Sequence, residues 1–289
     1  MIQATPRRLQ RRKLTNWFML SLCVLATILV VAPLIWIISY VIQQGLPAIK
    51  WSFFTQLPTP VGVPGGGIAN ALVGSAMTVG LGLLIAVPIG GLAGIYAATH
   101  PETSLGVALR FSTDVISGVP SIVMGIFAYT IVVLPQRHFS AFSGGVVLAF
   151  IMLPTLIRTT EEMIRLVPKS LHEGSLALGA AEWKTSLSIL IPAAANGILT
   201  GIMLAIARAA GEAAPMLFTA FGNPFLNLDF RQPVATLPHT IFVYAIAPYD
   251  DWHAKAWATA LVLISFVLLL NILARLITWW RMHHIGTYH

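Results

Sequence analysis

Charge is scarce in this chain. Only 9% of its 289 residues are Asp, Glu, Lys or Arg, while 57% are hydrophobic; an ordinary soluble domain carries roughly a quarter charged residues. A soluble globular protein is thereby excluded. Cysteine is nearly absent as well. The single Cys23 lies inside an apolar run, so there is neither a disulfide framework nor a cysteine cluster to hold a metal. His100, His138, His172, His239 and His253 stand in connecting segments without metal-ligand spacing and are expected to be solvated. No nucleophile, base and orienting group occur at interpretable spacing within the apolar runs, which argues against a membrane-embedded hydrolase. The absence of internal duplication argues against the inverted repeats common in secondary transporters.

What the chain does have is apolar length. Runs of about 20 residues, each able to cross a hydrocarbon core roughly 30 Å thick as a helix, recur along it. They predict spans at Trp17–Ile42, Ala69–Ala98, Val107–Leu134, Phe139–Ile157, Leu187–Phe221 and Ala256–Trp280. Arg7, Arg8, Arg11, Arg12 and Lys13 ahead of the first run imitate a signal peptide. That run, however, exceeds the 7 to 15 residues of a signal h-region and is read as a retained span. The formal net charge of +7 is a matter of topology rather than of nucleic-acid binding. With the N-terminus inside, cytoplasmic segments hold those five basic residues, Arg158, Arg165, Lys169 and Lys184 after the fourth span, and Arg275 and Arg281 at the end. External segments hold Lys50, Arg137, Arg231 and Lys255 only, which places both termini in the cytoplasm.

Two spans carry a small residue at every fourth position. One ladder is Gly74, Thr78, Gly82, Ala86, Gly90, Gly94 and Ala98; the other is Ala193, Gly197, Gly201, Ala205, Ala209 and Ala213. Such ridges allow close helix approach, either at a subunit interface or pore wall or within the chain itself. Gly62 to Gly67, with Pro64, marks a turn-rich external loop. The apolar piece from Thr240 to Ala247 is too short to span and reads as interfacial.

After the fourth span the chain reads VPKSLHEGSLALGAAEWKTSLSILIP. Ser170 and Glu173 have the S-x-x-E spacing of a capping box, predicting a short helix that Gly179 would end in a left-handed cap. Leu171, Leu176 and Leu178 would then face water, implying a soluble partner. Gly179, Lys184 and Thr185 mimic part of a phosphate-binding G-x4-G-K-T loop with the first spacing one residue short, but Trp183 occupies the essential glycine position and no strand precedes it. Glu173, Gly179, Ile189 and Pro192 resemble the EAA-x3-G-x9-I-x-L-P signature of ABC importer permeases. Gly174 and Ser175 replace the two alanines, and Ile191 replaces the leucine. In that family the segment is a coupling helix that docks on a separate ATP-binding subunit. The resemblance therefore implies that Glu173, Leu176, Leu178 and Gly179 serve ATPase coupling.

Span five places Arg208 near its middle and Glu212 four residues on. A charge there is unfavourable by about 2.5 to 3.5 kcal/mol on insertion scales. At i, i+4 the two could form an internal ion pair. Alternatively, the Arg208 guanidinium could present its fork of donors to an oxyanion on a pathway. Arg110 and Asp114 form a second i, i+4 pair, expected to be an interfacial structural one. The run AIARAAGEAAPMLFTA is similar to phosphate importer permeases of the A type. GGGIANAL, VPSIVMGIFAYTIVV and LLLNILAR extend that similarity over nearly the whole chain after the basic tail.

This resemblance implies an all-α, polytopic transmembrane bundle of six spans, of the ABC importer permease (MetI-like) type. Its parts would be a basic tail at 1–16, a first helix at 17–42, a permease core at 69–280 with a coupling helix near 170–182, and a tail at 281–289. It implies inorganic phosphate as substrate, with Arg208 and Glu212 on its path. It also implies a C-type permease as heterodimer partner, a dimer of ATP-binding subunits that use ATP and Mg, and a periplasmic or surface-tethered phosphate-binding protein. No cofactor is expected on this chain itself, and the location is the bacterial cytoplasmic membrane. The alternatives are an ABC permease for another solute and an ion-coupled secondary transporter.

Overall fold

In the computed structural model, which describes residues 6–63 and 65–285, the apolar runs have become helices. Among the described residues the only β-pairing is an isolated bridge between Phe221 and Val234. In chain order the helices are α1 (Pro6–Gly45), α2 (Trp51–Thr55), α3 (Ala69–Thr99), α4 (Ser104–Gly118), α5 (Ser121–Ala128), α6 (Leu134–Gln136), α7 (Ala141–Arg165), α8 (Lys169–Ala177), α9 (Glu182–Thr185), α10 (Ile191–Ala210), α11 (Ala214–Leu217), α12 (Leu237–Ala245) and α13 (Asp250–Ile285). Among the described residues five continuous helical stretches are long and apolar enough to cross a membrane, and a bent pair makes a sixth crossing if its two arms form one span. The expected basic tail is helical from Pro6 onward and continuous with the first span. Residues 1–5, Pro64 and 286–289, parts of the predicted tails and loop, lie outside the described residues.

The bent pair corrects the third predicted span. Ser104–Gly118 and Ser121–Gln136 meet at 106° instead of forming one rod. Pro120 disfavours helical backbone at the residue before it. Val119 is accordingly extended at φ −75°, ψ 128°, and α4 stops. Span five also ends sooner than apolar length suggests, at Ala210 rather than Phe221. Were the helix to continue, the Pro215 ring would meet the carbonyl of Gly211, four residues back. The helix therefore opens at Gly211 and resumes only as the short α11. Pro135 and Pro192 are handled differently. Each follows a π-helical turn, Tyr129–Val133 and Ser186–Leu190, whose wider winding accommodates a proline ring without breaking the rod.

The centre of the bundle is α7, longer than its predicted span because helix continues past Pro154 to Arg165. Its start is fixed by a reciprocal capping box: the Ser140 side chain accepts from the Ser143 backbone N–H, and the Ser143 hydroxyl accepts from that of Ser140. Leu148, Met152 and Leu156 on α7 are almost fully buried. The α3 ladder lies against this face. A Cβ on Gly90 would stand 2.8 Å from Leu156 Cβ, and one on Gly94 would stand 2.7 Å from the Ile157 carbonyl oxygen. On the other side of α7, Gly197 abuts Met163 and Gly201 abuts Thr159. The glycines of both ladders thus pack inside this chain, where an added methyl group meets occupied space, whereas Ala193 is exposed and Ala213 lies beyond the end of α10.

Candidate functional site

Two regions carry the residues singled out in the sequence: the segment from α8 to α9, and the far end of α10. Pro168 precedes α8 with extended backbone, φ −54° and ψ 128°, and its carbonyl already accepts from Leu171 N–H. The helix therefore starts at Lys169, and Ser170 lies inside its first turn. The expected Ser170–Glu173 capping box does not form, because a residue already in helical backbone cannot serve as N-cap. Glu173 is exposed.

The other end of α8 follows the sequence closely. Gly179 adopts φ +83°. Its N–H bonds the Leu176 carbonyl at 2.9 Å, and the Ala180 N–H bonds the Ser175 carbonyl at 3.2 Å. These two bonds make a Schellman cap, in which a left-handed residue satisfies the last helical carbonyls. The cap throws Leu178 outward, 91% exposed, with Leu171 and Trp183 exposed beside it and Leu176 half-buried. Ser175, which stands where the permease signature has alanine, is buried and shares a 2.9 Å hydrogen bond with the buried Thr185 hydroxyl. That bond ties α8 to α9 and fixes the hairpin that presents the apolar tip.

Arg208 lies in the last turn of α10, not near mid-span, and Glu212 lies beyond the helix end. The break at Gly211 separates the two, so the i, i+4 ion pair, one of the two readings that the spacing allows, is not made. Among the described residues neither side chain has a hydrogen-bond or ion-pair partner in this chain. Gly201, Ala205 and Ala209 are buried, whereas Asn196, Thr200, Leu204 and Arg208 form an exposed stripe along α10. Glu212 is half-buried. Among the described residues the structure thus leaves a guanidinium and a nearby carboxylate unpartnered at one end of a span, with an exposed stripe, polar at Asn196 and Thr200 and apolar at Leu204, leading to Arg208.

The Arg110–Asp114 pair is likewise replaced. Arg110 Nε donates to Glu161 Oε1 at 2.7 Å, and the rest of its guanidinium bonds the carbonyls of Pro101 and Ala97 at 3.0 and 2.8 Å. Arg165 joins the same Glu161 oxygen at 2.6 Å, while Asp114 pairs with Arg158. These bridges tie α4 to α7, since both helices present their charges at the end of the bundle that carries α8. His138 is exposed as expected, but His100, His172, His239 and His253 are partly buried. His239 is half-buried against Gly222, and burial lowers its pKa below the ordinary imidazole value. His253 Nε2 lies 2.6 Å from the Ala247 carbonyl, and His100 stacks on Tyr96.

Known proteins give this geometry its family. Residues 90–279 match the family model described as binding-protein-dependent transport system inner membrane component. A protein of Yersinia pestis named phosphate transport system permease protein PstA is 45% identical over 84% of this chain and 83% of its own length. Its namesake in Haemophilus influenzae is 43% identical over 92% of this chain and 94% of its own length. PstA 1 of Mycobacterium tuberculosis H37Rv is 34% identical over 94% and 88%. Among solved structures, an inward-facing crystal form of the MetNI methionine ABC transporter superposes with a TM-score of 0.58. It is 17% identical and covers 73% of this chain and 94% of that one, a likeness of fold. The chain belongs to the binding-protein-dependent transport system inner membrane components, with the ABC importer permease fold, in the branch whose members are named phosphate transport system permease protein PstA.

Proposed function

We propose that this chain is a membrane-spanning permease subunit that carries inorganic phosphate across the cytoplasmic membrane, driven by a separate ATPase through the α8–α9 segment. The observation that carries this reading is Arg208. Buried charges in membranes face bundle interiors or water-filled paths, and this guanidinium stands exposed on a span with no partner in its own chain. A second subunit and a passing oxyanion would supply what the chain leaves open. Guanidinium matches phosphate oxygens with paired donors. Glu212 would accept a hydrogen bond from a protonated phosphate and repel fully ionised sulfate, which has no proton to give. The likeness to phosphate permeases over most of the chain supports the same substrate.

In this reading the partners are a C-type permease, a dimer of ATP-binding subunits that hold ATP and Mg, and an external phosphate-binding protein. The exposed Leu171, Leu178 and Trp183 support a docked soluble subunit at α8. No nucleotide site is assigned to this chain, because Trp183 stands where a phosphate loop needs glycine. Co-purified with its partners into liposomes, the complex is expected to couple labelled-phosphate uptake to ATP hydrolysis stimulated by the loaded binding protein. Uptake driven instead by an ion gradient without ATP would overturn the reading in favour of a secondary carrier, and stimulation only by another solute would overturn the substrate.

Orientation follows from the distribution of basic residues. Both termini and the α8 segment are assigned to the cytoplasm, with Gly62 to Gly67 outside. Reporter fusions after residue 285 should be active only as cytoplasmic reporters, and single cysteines near Gly62 should react with impermeant reagents from outside. An external C-terminus would remove the six-span arrangement.

A further inference from the structure

A cavity of about 570 Å³, whose walls include neither Arg208 nor Glu212, lies between α12 and two loops. Its walls come from Pro58, Pro60 and Val61 in the loop after α2, from Phe221 and Phe225 after α11, and from Trp252 of α13, whose ring lies 4.7 Å from that of Tyr244. The second loop is held in place before anything binds. Asn70 Nδ2 donates to the Asn223 carbonyl at 2.7 Å, Asn223 Nδ2 donates to the Pro233 carbonyl at 3.1 Å, and Asn223 Oδ1 accepts from the Phe225 N–H at 3.0 Å. Gly222, at φ +88°, makes room for the His239 ring, which a Cβ there would strike.

None of the described residues lining this space is charged, so it offers no second station to a phosphate ion. Its interior is nevertheless polar in part. Tyr244 is 6% exposed and Thr240 9%, both line the cavity, and neither hydroxyl has a hydrogen-bond partner among the described residues. The His239 ring, on the same wall, has none either. Burial lowers the His239 pKa, and burial, then Asp251, raises that of Tyr244, so at pH 7 the imidazole is neutral and the phenol keeps its proton. Two hydroxyls and a neutral imidazole together present both donors and acceptors. A lipid acyl chain would leave all of them unpaired and desolvated, which is unfavourable. An inserted peptide would pair them through its main-chain amides while its apolar side chain met the aromatic and proline walls.

We infer that this cavity receives a projecting loop of the external phosphate-binding protein, an uncharged segment whose apolar side chain fills the pocket and whose main-chain amides pair with Thr240, Tyr244 and His239. The inference rests on the phosphate-permease reading above. The chain belongs to a family that depends on a binding protein, and both loops lie on the side that the basic residues assign to the outside. Val61, Phe225, Leu226 and Leu228 stand exposed on those same loops, the composition of a protein-docking patch. A desolvated pocket inside such a patch is where an anchor side chain contributes most to binding.

The test uses the full chain with its native permease and ATPase partners in nanodiscs, and purified binding protein loaded with inorganic phosphate. With Val61 replaced by p-benzoylphenylalanine, irradiation should crosslink this chain to the binding protein. A crosslink to phospholipid or to the second permease alone would overturn the assignment. Without crosslinking, Thr240→Val and Tyr244→Phe, which each remove a hydroxyl at nearly constant shape, should raise the Kd of the loaded binding protein roughly three- to tenfold. Val243→Trp, which fills the cavity, should raise it by roughly tenfold or more. If water alone satisfied the hydroxyls, the two smaller changes would leave the Kd at its wild-type value, and that result would overturn the docking site, as would normal binding by Val243→Trp. The two smaller changes keep the test decisive should Val243→Trp fail to assemble. The phosphate-permease reading fails in a different way: it falls, and this inference with it, if the loaded binding protein neither binds nor stimulates the wild-type complex. A wild-type complex that is stimulated, with all three variants matching it, removes the cavity assignment alone.

Discussion

Gly179→Val is expected to leave the chain inserted in the membrane and to reduce ATPase-coupled phosphate uptake severely. The cause lies in the backbone alone. Gly179 sits at φ +83°, and a Cβ added there meets nothing within 4 Å, so no clash with a neighbour can explain a loss. Left-handed backbone costs an L residue roughly 1 to 2 kcal/mol, and more for a β-branched one, enough to lower the population of the correct turn by about five- to thirtyfold. The turn holds both Schellman bonds and aims Leu178 outward, so its loss should scramble the surface offered to the ATPase. The series supplies its own control. Gly179→Asn, which tolerates positive φ, should stay near wild type, Gly179→Ala should fall between, and Gly179→Val should be worst. Co-purification of the ATPase and ATP hydrolysis stimulated by the binding protein are the measurements. Equal activity across the series would remove the docking role from this segment.

That cap was readable in the sequence because a left-handed C-cap depends on a single residue type at a single place. The other end of α8 misled for the converse reason. Ser170 and Glu173 have the right spacing, but Pro168 had already committed the chain to helix one residue early. Spans were legible because apolar length is a one-dimensional signal. Their breaks were legible in principle, at Val119–Pro120 and at Gly211 ahead of Pro215, but a reading weighted to hydropathy runs straight through them. The small-residue ladders announced close packing without naming a partner, which only the placement of α7 between α3 and α10 supplies.

Ion pairs were least legible. Local spacing favoured Arg110 with Asp114, yet each found its partner on α7, 51 and 44 residues away. A helix-face rule cannot see a neighbouring helix. The His100–Glu182 contact spans a still wider gap, and no local pattern announces it. For Arg208 the sequence carried a signal, a charge in an apolar run, but not the fact that Glu212 lies past a helix break.

That break sharpens what substitution at Arg208 should do. If Arg208 served only to neutralise Glu212, changing both to glutamine should restore transport, because no buried charge would be left unpaired. The structure gives them no such bond. Arg208→Gln should therefore assemble normally yet lose phosphate uptake by roughly ten- to hundredfold, the worth of about 1.5 to 3 kcal/mol for hydrogen bonds to a charged group. Adding Glu212→Gln should not recover it, since the anion still lacks its positive partner. Arg208→Lys keeps the charge but loses the paired donors, so its uptake should lie between. Glu212→Gln alone should retain most phosphate uptake while weakening rejection of sulfate, because an amide no longer repels a fully ionised anion. The readout is labelled-phosphate uptake, with unlabelled sulfate as competitor, normalised to assembled complex. Near-normal uptake by the double variant would sink the anion-site assignment, and unchanged sulfate competition in Glu212→Gln would remove the carboxylate from selectivity.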